Sequence, residues 1–124
     1  METGKSMSSL HEQLRARTKL FAIRIVKAVQ RLPKTDEARI MGKQLLRAGT
    51  SVAANYRAVG RARSKPEFIA KMGVVVEEAD ETVFWLEMLV ETSIVRKELF
   101  QELLTEANEL LAIFAASHQT AKAR

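Results

Sequence analysis

The chain has 124 residues, 47% of them hydrophobic and 28% charged, with a net charge of +5. That length suits one domain around one modest core, and only two prolines and five glycines argue against a turn-rich all-β fold. No apolar run reaches the roughly 18 residues of a membrane span, METGKSMSSLHEQ lacks the apolar core of a secretory signal, and the lack of cysteine excludes disulfide and thiolate chemistry and suits a cytoplasmic protein.

The first predicted helix carries apolar or small residues at Leu10, Leu14, Thr18, Phe21, Ile25, Ala28 and Leu32, in steps of three and four that mark one helical face. Pro33 ends it, because the residue before a proline disfavours the helical conformation. The second helix follows an Asp36 cap and repeats the pattern at Ala38, Met41, Leu45, Ala48, Val52, Asn55 and Val59. Asn55 falls on the core seam and reads as a buried polar residue that fixes register. The third opens on Ser64-Lys65-Pro66-Glu67, a capping box with proline in the first turn. It continues through Phe68, Met72, Val75, Ala79, Val83, Leu86 and Val90. The fourth is expected to be capped by Ser93 and to bury Phe100, Leu103, Ala107, Leu110 and Phe114. Four such helices with short connections predict an all-α, antiparallel up-down-up-down four-helix bundle. It forms a single domain over residues 9–119, with 1–8 and 120–124 expected to fray.

The third helix has a second stripe. Val74, Glu78, Glu81, Trp85 and Met88 repeat at heptad spacing about 100° from the core stripe. The first helix places Leu20 and Ile23 away from its core face, and the second places Arg47 beside small residues. Scattered exposed apolar residues are normal singly, but a heptad-spaced stripe points to a subunit interface. Net charge runs +6 over residues 1–34, +4 over 35–64, −5 over 65–93 and zero over 94–124. Unlike charges on different surfaces favour a head-to-tail contact, the kind that closes into a ring. Arg47 is expected to pair with Glu81, within or between chains.

Little in the chain suggests catalysis. Glu77, Glu78, Asp80 and Glu81 cover several sides of one helix, and no Glu-x-x-His motif of di-metal bundles is present. His11 and His118, the only histidines, lie near the ends, and no glycine-rich phosphate loop occurs. No enzyme activity, cofactor or metal is expected. The basic balance points to a polyanion. Arg17, Arg24, Lys27, Arg31 and Lys34 share a flank of the first helix, and Arg57, Arg61, Arg63 and Lys65 cluster at the end of the second. Like charges four apart cost a few tenths of a kcal/mol each, which is tolerable on a solvated basic face and useful on a phosphate site. No aromatic residue is interleaved with these cations, so base stacking is not indicated and contact would be to the backbone.

Three stretches carry a resemblance: Leu46-Arg47-Ala48-Gly49-Thr50-Ser51-Val52-Ala53-Ala54-Asn55-Tyr56-Arg57; Ser64-Lys65-Pro66-Glu67-Phe68-Ile69-Ala70-Lys71; and Glu78-Ala79-Asp80-Glu81-Thr82 with Trp85-Leu86. Together they are similar to the "four helix bundle protein" family, first noted as reading frames in intervening sequences of bacterial 23S rRNA genes and often labelled a ribosomal protein. The resemblance implies a bundle that assembles as a ring, commonly a homopentamer, with no enzymatic activity and no settled molecular function. Many members carry Glu where this chain has Ala58. If that Glu takes part in a polar layer, the layer is incomplete here. A related bundle, the accessory variability protein of diversity-generating retroelements, binds a reverse transcriptase and nucleic acid, an analogy of fold only. The expectation is a cyclic homo-oligomer, a pentamer, that binds RNA such as rRNA through Arg17, Arg24, Lys27, Arg31, Arg57, Arg61 and Arg63. The alternatives are an adaptor that docks a nucleic-acid enzyme such as a reverse transcriptase, and an oligomer with no nucleic-acid contact.

Overall fold

The computed structural model describes residues 2–124, with side chains from Ser9 onward, so the fraying expected for residues 1–8 lies outside the side chains described. Four helices account for the described residues, with no strand among them: α1 (Glu2–Gln30), α2 (Asp36–Val59), α3 (Lys65–Glu91) and α4 (Lys97–Ala123). The breaks fall where the sequence places them, but the caps differ in two of three cases. Thr35, not Asp36, caps α2: its backbone is extended and its hydroxyl accepts the Ala38 N–H at 3.2 Å. Asp36 is already helical and pairs with Arg39 at 3.1 Å. Ser64 caps α3 as expected, accepting the Glu67 N–H at 3.2 Å. Ser93 does not cap α4. It sits in the connection with φ of 61°, and α4 starts after Arg96, which supplies no side-chain cap. The reason lies upstream: the Thr92, Ser93 and Val95 amides donate to Met88, Val90 and Leu89 carbonyls at 3.1, 3.0 and 3.1 Å. The connection is therefore occupied in satisfying the orphan carbonyls of α3. At the far end α4 continues to Ala123, in keeping with the alanines of the tail and a basic last turn.

The core is built from one face of each helix. Phe21 and Ile25, Leu45 and Val52, Met72 and Leu86, and Leu110 and Phe114 are all fully or almost fully buried. Two glycines bring α1 and α2 close. A methyl group on Gly42 would lie 2.8 Å from Leu32 Cδ1, and one on Gly49 would lie 2.9 Å from both Ile25 Cγ1 and Cγ2. Gly42 against Leu32, Gly49 against Ile25 and Gly60 against His11 form a contact series that descends α1 as it ascends α2. The α1–α2, α2–α3 and α3–α4 seams are closely packed, whereas α1 and α4 meet only sparsely.

Three features of the core depart from the periodic reading. Leu10 is 55% exposed. Asn55 is half-buried rather than buried, and its amide donates to the Ser51 carbonyl of its own helix at 2.8 Å. The neighbouring Tyr56 takes the interior place. Its ring stacks on Phe114 at 5.0 Å, lies 4.9 Å from the His11 ring, and its hydroxyl bonds His11 Nδ1 at 3.1 Å. A large ring with a polar tip fills that space and keeps its hydroxyl satisfied, and burial pushes the Tyr56 phenol upward in pKa. The two buried polar residues among those described, Thr18 and Thr82, donate to Arg15 and Glu78 carbonyls of their own helices, at 3.0 and 2.7 Å.

Candidate nucleic-acid interface

Arg17 stands on the flank of α1 that faces α4. Its Nε and Nη2 donate to the two carboxylate oxygens of Glu106, both at 2.7 Å, and Nη2 also reaches Glu109 at 2.9 Å. This fork is a two-point, charge-assisted clasp. It holds the Glu106 carboxyl below its ordinary range, against the opposing effect of burial, and raises the Arg17 guanidinium. Arg17 therefore differs from the other expected phosphate ligands, because its charge is matched inside the chain. The sequence could not reveal this, since the partner lies 89 positions away.

Arg47 makes the corresponding fork across α2 and α3. Nη1 donates to Glu78 at 3.1 Å and Nη2 to Glu81. Trp85 Nε1 donates to the same Glu81 oxygen at 3.4 Å. The Arg47 hydrogen bond holds the Glu81 carboxyl below its ordinary value. The expected Arg47–Glu81 pair is present and lies within one chain, with Glu78 as a second partner. The stripe it belongs to is only partly open. Trp85 and Met88 are half-buried, Trp85 packs on the core, and its ring meets Phe84 edge-on at 4.8 Å. Val74 and Phe84 are exposed on this edge, as are Leu20 and Ile23 on the outer face of α1. With Glu78 and Glu81 engaged, the exposed acids of α3 with no ion pair are Glu77, Asp80, Glu87 and Glu91.

The remaining cations separate into two groups. Arg24, Lys27 and Arg31 lie toward the C-terminal end of α1, and Arg57, Arg61 and Arg63 at and beyond the C-terminal end of α2. None of the six forms an ion pair among the described residues. The α1–α2 contact series puts the α2 end beside His11, so the two groups sit at opposite ends of the bundle, separated by roughly 20 Å at 1.5 Å per residue. The two groups therefore form separate basic patches. The same series sets Arg15 and Lys19, both exposed and outside the sequence-derived set, level with Arg57. Their absence from that set has a simple cause: they lie on the other flank of α1, and only the pairing with α2 brings them beside its end. On α1 the carboxylate nearest in register is Glu12, and Glu67 lies in the first turn of α3 at the same end. Among the described residues no group of three or more His, Asp or Glu side chains is placed to hold a metal ion.

Comparison with known proteins agrees with this architecture. A crystal structure of a protein of unknown function from the S23 ribosomal protein family of Bacteroides thetaiotaomicron VPI-5482 superposes with a TM-score of 0.80. The two share 30% identity, over 88% of this chain and 97% of that one. No curated protein matches. The family model for the 23S rRNA-intervening sequence protein matches residues 12–116, and with the four helices and their register in place, the chain belongs to that family.

Proposed function

We propose that this protein is an antiparallel up-down-up-down bundle that assembles as a cyclic homo-oligomer, a pentamer, and binds RNA in the cytoplasm without catalysing a reaction. One observation carries the RNA reading: Arg57, Arg61 and Arg63, joined in register by Arg15 and Lys19, form a basic patch with no ion pair among the described residues. Arg39 and Arg47, earlier in α2, are exposed too and are paired with carboxylates, so within α2 and the turn after it the arginines without an ion pair among the described residues gather at the C-terminal end. A patch of this kind fits phosphates, and the family's association with 23S rRNA genes makes ribosomal RNA the first substrate to test. Lys27 and Arg31 form the second, smaller patch. Arg17 contributes little, because phosphate binding would require breaking its clasp with Glu106. In a ring each weak patch is repeated around the axis, and avidity multiplies its effect.

The test is binding to a 23S rRNA fragment over a range of salt. A steep fall of affinity with salt is expected, as counterions return to the phosphates. The triple variant Arg57→Ala, Arg61→Ala, Arg63→Ala should lower the salt slope by about one for each phosphate contact removed, while Arg17→Ala should leave it nearly unchanged. No binding even at low salt would sink the RNA reading.

A further inference from the structure

Because α1 and α4 meet only sparsely, the seam between them opens into a groove of about 300 Å³ at the end where α1 stops and α4 begins. The Arg17–Glu106 clasp closes the seam beyond it. The floor is apolar: Ala28 from α1 and Leu32 just after it, Val95 before α4, and Phe100 and Leu103 from α4. Leu99 stands on its edge and is 69% exposed, the most exposed large apolar side chain among the described residues. Leu99 is continuous with the apolar floor, so the two make one apolar patch, against which a phosphate backbone has nothing to pack.

The two rims differ in charge. Arg24, Lys27 and Arg31 line the α1 rim, and Glu102 the α4 rim. Glu98 and Glu106 continue the acidic side in the adjoining depression, where Arg24 also lies. Arg24 is half-buried beside these acids, while Lys27 and Arg31 are exposed and without ion-pair partners among the described residues. Lys27 and Arg31 thus put unpaired positive charge along one side of an apolar channel, opposite the acidic rim. No described segment of this chain reaches it, since Glu2 and Ala123, at the other ends of α1 and α4, are about 35 Å away at 1.5 Å per residue.

We propose that the α1–α4 groove docks an amphipathic helix of a partner protein, with its apolar side chains at i, i+3 and i+7 over Leu99, Phe100 and Leu103, and carboxylates on the flank facing Lys27 and Arg31. Helix-in-groove recognition takes its affinity from such an apolar row. The unequal rims set the direction in which the helix lies and select against a basic partner. This surface is distinct from the α2-end patch assigned to RNA and functions whether or not that assignment holds.

The experiment uses two synthetic, helix-stabilised peptides with the same three-leucine face, one with glutamates on a flank and one with lysines there, titrated by fluorescence anisotropy against the full chain. Saturable binding of the glutamate peptide is expected, with the lysine peptide weaker by about tenfold or more. Leu99→Asp should weaken the glutamate peptide by about tenfold or more, and Lys27→Glu with Arg31→Glu should reverse the preference. Circular dichroism of these variants should be unchanged, because all three side chains are exposed. The α2-end triple variant should bind the peptide as the parent does. Equal binding of the two peptides, or no saturable binding, overturns the proposal. It is overturned equally if Leu99→Asp alone lowers the mass of the protein in solution, which assigns the groove to a second copy, or if Leu99→Asp abolishes binding of the rRNA fragment, which assigns it to nucleic acid.

Discussion

Gly42 and Gly49 both lie where α1 presses on α2, yet replacing them with alanine should have opposite outcomes. Alanine favours a helix over glycine by about 1 kcal/mol. At Gly42 the new methyl's one close approach is to the mobile end of Leu32, with Val29 Cγ1 at an ordinary 3.5 Å, so Gly42→Ala should be neutral or slightly stabilising by thermal denaturation. At Gly49 it meets two branches of Ile25, which is fully buried and β-branched. Such a side chain cannot rotate away, and Gly49→Ala should cost about 1–3 kcal/mol. The Arg17–Glu106 clasp adds a pH dependence. A carboxylate held below its ordinary range contributes stability that is fully present above the unfolded pKa, about 4.3, and is lost as pH falls through the lower folded value. Glu106→Gln should therefore lower the melting temperature at neutral pH by an amount equivalent to about 1 kcal/mol and flatten the acid limb of stability against pH. An unchanged acid limb would mean that the clasp does not form in solution.

The apolar period, interrupted at Pro33, at Gly60 and at the polar Glu91-Thr92-Ser93 stretch, was enough to place each helix in the sequence. Which polar residue at a break acts as the cap was not legible there, because Asp36 is the better cap by type and only the backbone conformation gives the place to Thr35. The cap assignments are testable in turn. Thr35→Ala should cost about 1 kcal/mol. Asp36→Ala should cost less than half of that, since it removes only an exposed pair and a charge near the helix start. Ser93, with its φ of 61°, is in a conformation that glycine adopts without strain, so Ser93→Gly should raise stability by about 0.5–1 kcal/mol. If Ser93 capped α4, the same change would lower it. The choice of Tyr56 over Asn55 as the interior residue was hidden for a related reason. Both flank the apolar stripe, and the space is defined by Phe114 and His11, which come from other helices.

At the scale of the whole molecule, four helices and one core were legible, and so was the acid-rich, apolar edge of α3. Where charges cancel was not, because the Arg17 and Arg47 forks depend on the register between helices. This changes how assembly should be tested. Trp85 packs partly on its own core, so truncating it mixes stability with association. Leu20 and Ile23 are exposed on the outer face of α1, and the double variant Leu20→Ser, Ile23→Ser should convert the proposed oligomer to single chains by light scattering while leaving helicity intact. A parent protein that is already monomeric at working concentration would overturn the ring.

The two buried threonines bond only to carbonyls of their own helices, so no hydrogen bond crosses the interior from one helix to another through them. Orientation and partner choice among the four rods are then left to the shape of the glycine notches, to the Tyr56–His11 hydrogen bond between α2 and α1, and to the two arginine forks at the periphery. A chain built this way should accept wholesale exchange of one greasy side chain for another, provided Gly49, Arg17 and Arg47 are kept. It should lose its unique arrangement, though not its helices, once those three are removed together.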